Sequence, residues 1–213
     1  MANPEIIGSA RSTYTHAVRM VCEEKGINYV LTERPLRAPE IRAIHPFGKM
    51  PVLRHGDFRL FESKAIATYL DRSFPAPYVF PADIELAALT EQWVSVVNTL
   101  IDHTLIRTYL FAYIAPRTGN GEPDRKAIEA VMPALGEQIA VLDTAVAKTG
   151  YLVGDHFTFA DINLLPILHR MQQAPEGAKA LAAATHLARY YESHATRPSF
   201  KSTLPPAGPP SRT

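Results

Sequence analysis

The chain has 213 residues, enough for one or two domains with a sizeable core, and a formal charge of +1 from 22 basic and 21 acidic residues. The charges are interspersed, which gives no footprint for nucleic acid or an anionic membrane, and no apolar run is long enough to span a bilayer. Cys22 is the only cysteine, so an internal disulfide and CxxC redox chemistry are excluded; with no basic-then-apolar leader ahead of Ile6-Ile7-Gly8, the expected compartment is the cytoplasm.

EIIG reads as a first strand, and HAVRMVCEEK (His16–Lys25) as a helix closed by Gly26. NYVLTER, MPVLRHG and FRLF read as further strands, the last two joined by a hairpin turn at HGDF. ESKAIATYLDRS (Glu62–Ser73) returns to helix. Strand, helix, strand, hairpin and helix predict an α/β layer with a mixed sheet over residues 1–80.

Within this layer, HPFGKMPVL raises a question about Pro51. Proline has no amide hydrogen and belongs at strand starts, edges and bulges, so Pro51 reads either as a plain strand start or as a cis residue. A cis Met50–Pro51 bond would turn the Met50 main chain outward, ready to pair with an extended ligand as a strand would.

The proline-punctuated segment FPAPYVFPAD opens a linker over residues 74–85, beyond which the pattern is purely helical. Leu86, Leu89, Trp93, Val96, Val97, Leu100 and Ile101 recur at three- and four-residue steps, as do Ile128, Val131, Leu135, Ile139, Leu142 and Val146. PRTGNGEPD (Pro116–Asp124) reads as the loop between them, and the proline-rich stretch 204–213 as a disordered tail. TFAD (Thr158–Asp161) is a capping box with aspartate in the glutamate's place, with Phe157 set to staple onto Ile162 and Pro166 expected to kink the helix. The expected architecture is a small α/β domain followed by an all-α domain over 86–200.

Taken together, IIGSARSTYTHAVRMVCEEKGINY, HPFGKMPVL, LFESKAIATYL and LVGDHFTFADI resemble the cytosolic glutathione transferase family, in order and spacing, up to about Phe200. The resemblance implies a thioredoxin-like N-terminal domain, an all-α C-terminal domain, a homodimer, and glutathione as co-substrate with no metal. It also makes Pro51 the cis proline and sets the Met50 main chain against the cysteinyl unit of glutathione.

The rest of the glutathione grip combines resemblance with physical chemistry. Ser63 at a helix N-terminus suits the γ-glutamyl carboxylate, because free amides and the helix dipole favour an anion there. Glu62 beside it suits the ammonium. Both residue types are also ordinary at helix starts. Lys49 and Arg37 match family positions near the glycyl carboxylate, and solvated surface cations are the plain alternative.

Resemblance to the serine-type classes, judged from Gly8 and Val18, places Ser12 on the catalytic serine, in the turn between first strand and first helix. A thiol of pKa about 8.5 is mostly protonated at neutral pH, and lowering it by two units needs about 2.7 kcal/mol of preferential anion stabilisation. One charge-assisted hydrogen bond plus a helix terminus is of that order. Thr13, Arg11 and Tyr14 are the reserves in the same turn. Cys22 falls inside the helix and reads as a small buried hydrophobe.

For the electrophile's pocket, Tyr14, Tyr109 and Tyr113 are the candidates, although an aromatic cluster such as YLFAY (Tyr109–Tyr113) at helical spacing also suits a core. Asp102 and Arg107 share that helix. The eight histidines show no metal-ligand spacing. The expected activity is attack of the glutathione thiolate on a small hydrophobic electrophile. A glutathione-dependent isomerase of the maleylacetoacetate type is one alternative, from which SARSTYTH departs by lacking a serine pair followed by cysteine. A non-catalytic binding module of the same fold is the other.

Overall fold

The computed structural model describes residues 3–115 and 121–206. Residues 116–120 of the expected loop and 207–213 of the expected tail lie outside them. The chain divides into two compact units, one running to Val79 and resuming at Arg197, the other Phe80–Thr196.

In the first unit, β1 (Glu5–Gly8) leads into α1 (Thr13–Lys25), β2 (Val30–Glu33), the short α2 (Pro39–Arg42), β3 (Val52–His55), β4 (Phe58–Phe61) and α3 (Ser63–Ser73). The strand order is β2-β1-β3-β4. β1 pairs parallel with β2, whereas β1 with β3 and β3 with β4 are antiparallel, giving the mixed sheet. Gly56 at φ 58° and Asp57 make the hairpin turn, with His55 opposite Phe58.

The alternation of strand side chains assigns the two faces. Ile7 and Val52, paired across β1 and β3, pack with Ala38 and Ile41 beside α2. Their neighbours Ile6 and Leu53 are fully buried on the opposite face. α1 starts earlier than its apolar run suggests. Ser12 takes the N-cap position, its Oγ accepting from the Thr15 amide at 3.3 Å, and adds a turn ahead of His16. Gly26, at φ 64°, closes α1 as expected, with the Ile27 amide donating to the Cys22 carbonyl.

The end of this unit is tied down. Lys25 Nζ, buried, sits 3.2 Å from Asp71 and donates to the carbonyls of Pro75 and Pro77, while the Val79 amide donates to Asp71. The ion pair has all its partners, as buried charges require.

In the second unit, α4 (Ile84–Val96) continues through two π-helical segments, Val97–Ile101 and His103–Leu110, into α5 (Phe111–Ile114). The sequence spacing predicts a regular α-helix here. The wider π turns instead bring residues five apart into register: Arg107 donates to Asp102 at 2.8 Å, and Thr108 to the His103 carbonyl. Leu89 and Leu100 of the expected apolar stripe stand exposed. α6 (Arg125–Val146) follows its pattern closely, and all six expected core residues from Ile128 to Val146 are buried.

α7 (Phe159–Met171) is buried on nearly every side and continues through Pro166. Its capping box forms as expected, with Asp161 accepting from the Thr158 amide at 2.9 Å. The Phe157 ring lies 5.1 Å from that of His194. α8 (Pro175–Ala183) and α9 (Thr185–His194) complete the unit.

α10 (Pro198–Thr203) belongs with the first unit and packs along α1. Phe200 and Thr203 are its buried anchors.

Candidate active site

The turn Ser9–Ser12 links β1 to α1 and is bonded internally. The Ser12 amide donates to the Ser9 carbonyl at 3.0 Å, and the Arg11 amide to Ser9 Oγ at 3.2 Å. The Ser9 amide in turn points at Met50 Sδ, 3.2 Å away. Gly8 sits in a tight space here. A Cβ at that position would lie 2.7 Å from Thr15 Oγ1 and 3.4 Å from Met50 Cβ.

Ser12 is half-buried at the positive end of α1. A serine hydroxyl offers one hydrogen and two acceptor positions. Because the Thr15 amide occupies an acceptor position, the Ser12 hydrogen remains available to a neighbouring anion. Thr13 is buried in the first turn and Tyr14 is half-buried. Arg11 donates to the Pro206 carbonyl at 3.1 Å. Cys22 is fully buried, and burial pushes its thiol up to about 12, so it stays protonated.

Met50–Pro51 is a cis peptide bond. Register between β1 and β3 ends at Ile7 opposite Val52, so the Met50 main chain lies beyond the ladder. Lys49 and Arg37 are both exposed. Their loops are joined, the Arg37 amide donating to the Gly48 carbonyl at 3.2 Å, and Arg37 itself takes φ 66°.

Glu62 holds φ 71° at the junction of β4 and α3, a conformation that non-glycine residues keep only when the surroundings impose it. Its side chain is 66% exposed, and Oε1 lies 3.4 Å from Nε2 of the buried His45. His45 Nδ1 accepts from the Phe47 amide at 3.1 Å, which leaves the ring hydrogen on Nε2, facing Glu62. The His45 ring packs on Phe61, with centroids 4.6 Å apart. Ser63, buried, is the first residue of α3, whose opening amides have no partner within the helix. Three contacts, Ser9 to Met50, Arg37 to Gly48 and His45 to Glu62, each join one predicted residue of this unit to a neighbour that was not predicted. Sequence reasoning passed over His45, although it opens the HPFGKMP stretch.

Tyr109 and Tyr113 belong to the second unit. Tyr109 has no exposed surface and is a core post rather than a pocket wall: its hydroxyl donates to Glu176 at 3.1 Å and accepts from the Gly177 amide at 2.7 Å. Tyr113 also donates to Glu176, and Arg125 donates to both at 2.9 and 2.7 Å. Burial alone would raise the Glu176 carboxyl, but the hydrogen bonds from Tyr113 and Arg125 outweigh it and hold the group down to about 2. Among the described residues, no cluster of three or more His, Cys, Asp or Glu is placed to hold a metal ion, and no helix is long and apolar enough to cross a membrane.

Two family models match the chain, the N-terminal domain of glutathione S-transferase over residues 11–73 and the C-terminal domain over residues 100–198. The chain belongs to the glutathione S-transferase family. It is 32% identical to glutathione S-transferase 3 of Zea mays, over 99% of both chains. Among solved structures, glutathione S-transferase I from maize in complex with an atrazine glutathione conjugate matches with a TM-score of 0.84 at 27% identity, covering 95% of this chain and 97% of that one. A glutathione S-transferase from Methylobacillus flagellatus KT with glutathione bound matches with a TM-score of 0.81 at 26% identity, over 96% of this chain and all of that one.

Proposed function

We propose that this glutathione S-transferase binds glutathione on its first unit, ionises the thiol beside Ser12 and transfers the sulfur to a small hydrophobic electrophile. The observation that carries the reading is the Ser12 hydroxyl at the start of α1, with the Thr15 amide on its oxygen and its hydrogen left to donate. A charge-assisted hydrogen bond of about 1.5–3 kcal/mol, added to up to about 1 kcal/mol from the helix terminus, lowers the thiol pKa by one to three units or so. The thiolate then attacks carbon. A sulfur–carbon bond forms as a leaving group departs, or the electron pair moves into a conjugated acceptor that a proton later neutralises.

The grip on the tripeptide follows the same electrostatics. Met50 offers main-chain groups beyond the ladder to the cysteinyl unit, Pro51 fixing their direction. Glu62 takes the ammonium, Ser63 and the α3 amides take the γ-glutamyl carboxylate, and Lys49 with Arg37 takes the glycyl end. Tyr14, two residues beyond Ser12 in sequence and half-buried, is a candidate for the electrophile side. A homodimer in the cytoplasm completes the reading.

The test is to replace Ser12 by Ala and titrate the thiol of bound glutathione by its ultraviolet absorbance. The thiol pKa should rise by about one unit or more and kcat at neutral pH should fall at least tenfold or so, with KM for glutathione little changed. An unaltered titration curve removes Ser12 from the mechanism.

A further inference from the structure

The contacts of α10 run the length of α1 and do not stop at packing. At the far end, Arg197 grips Glu24 with two hydrogen bonds of 2.8 Å, and Ser199 donates to the same carboxylate. In the middle, the Phe200 ring lies 5.1 Å from that of His16, and Arg19 donates to the Thr203 carbonyl at 2.9 Å. Beyond α10 the chain is extended, with Leu204 at φ −53° and ψ 139°. Pro205 and Pro206, whose rings fix φ, then carry the Pro206 carbonyl to Arg11 Nη2 at 3.1 Å.

Arg11 is the residue immediately before Ser12. Its own amide is held by Ser9 Oγ, and the Ser12 amide by the Ser9 carbonyl, so a displacement of Arg11 is transmitted to the Ser12 N-cap. The carboxylate clasp at Glu24 fixes where α10 starts, and the two prolines fix where the chain arrives. Residues 204–206 therefore reach the turn with little freedom of their own.

We propose that Arg197–Pro206 is a strap that sets the thiol-ionising turn, with Arg11 as a positioning residue. This inference rests on the Ser12 reading. It assigns the C-terminal segment a part in ionisation separate from gripping the tripeptide, since none of Met50, Glu62 or Ser63 contributes to the strap.

The strap is loosened by replacing Pro205→Gly and Pro206→Gly together in the full chain, which leaves Arg197, Ser199 and Phe200 in place. With glutathione as the probe, the bound thiol should titrate higher by about half a unit to one unit, and kcat near neutrality should fall roughly three- to tenfold. KM for glutathione and the melting temperature should hold. In an Arg11→Met background the glycine pair should do nothing more, whereas Arg11→Lys should recover part of the loss. A thiol titration unmoved by the glycine pair, or effects that simply add in the Arg11→Met background, would overturn the strap. Ser12→Ala titrated alongside separates the two readings. A thiol moved by Ser12→Ala but not by the glycine pair removes the strap alone; a thiol unmoved by Ser12→Ala removes the serine.

Discussion

His45 Nε2 stands 3.4 Å from Glu62 Oε1, a buried imidazole holding an exposed carboxylate at a residue of positive φ. Two residues seventeen apart in sequence thus meet at the proposed ammonium site. Replacing His45→Ala frees Glu62 to swing into solvent, and the expected result is a rise of about five- to tenfold in KM for glutathione, with kcat changed much less. Steady-state kinetics with glutathione varied decides it, and a KM within twofold of the parent's rules out the orienting role.

Gly8 is a packing position. Gly8→Ala drives a methyl to 2.7 Å from Thr15 Oγ1, a buried atom, and against Met50. Overpacking of this kind costs about 1–3 kcal/mol. Urea unfolding should show a lower midpoint with the slope unchanged. Because Thr15 also donates its amide to Ser12, the thiol of bound glutathione should titrate higher in the same variant.

Asp161 accepts from the Thr158 and Leu152 amides at 2.9 Å each and from the Tyr190 hydroxyl at 3.1 Å, all in a buried setting. Asp161→Ala strands these donors. The expected loss is about 3–5 kcal/mol, and Asp161→Asn should recover part of it because one acceptor oxygen survives. Guanidinium unfolding of the three proteins tests this ranking.

Glu176 supplies a pH dependence. Its carboxyl ordinarily titrates at 4.5 and is held down to about 2 in the folded protein. A depressed carboxyl stabilises the fold above its unfolded pKa, so this contribution is complete above about pH 4.5 and disappears as pH falls towards 2. Glu176→Gln should therefore flatten the acid limb of stability against pH, measured by thermal melts across that range. A parallel acid limb in the variant would show that other carboxylates carry it.

Much of the first unit is legible because its signals are local. Alternating apolar residues, Gly26 closing α1 and Gly56-Asp57 turning the hairpin each act within a few residues. The α6 stripe is equally legible, since 3.6-residue periodicity alone places Ile128 to Val146 inside. The π turns between Val97 and Leu110 escape that reasoning, as the same apolar spacing suits an ordinary helix and only the i to i+5 bonding distinguishes them. α2, α8, α9 and α10 are short, and proline or small residues at their starts hide them. At the site, the resemblance to the glutathione transferase family points to the Ser12 turn and to the PFGKMP and FES segments. The His45–Glu62 pair and the Arg11–Pro206 bond escape notice because each depends on where distant stretches of chain return. Tyr109 shows the converse: an aromatic at helical spacing suits pocket or core alike until Gly177 and Glu176 are seen closing on its hydroxyl.

The first unit leaves its sequence at Val79 and recovers it at Arg197. The helix that lies along α1 is thus encoded after the whole of the second unit, so Ser12 waits for it through the synthesis of that all-α insertion. A newborn chain can complete its sheet early, whereas α1 gains the support of Phe200 and the Glu24–Arg197 clasp only once α10 has been made.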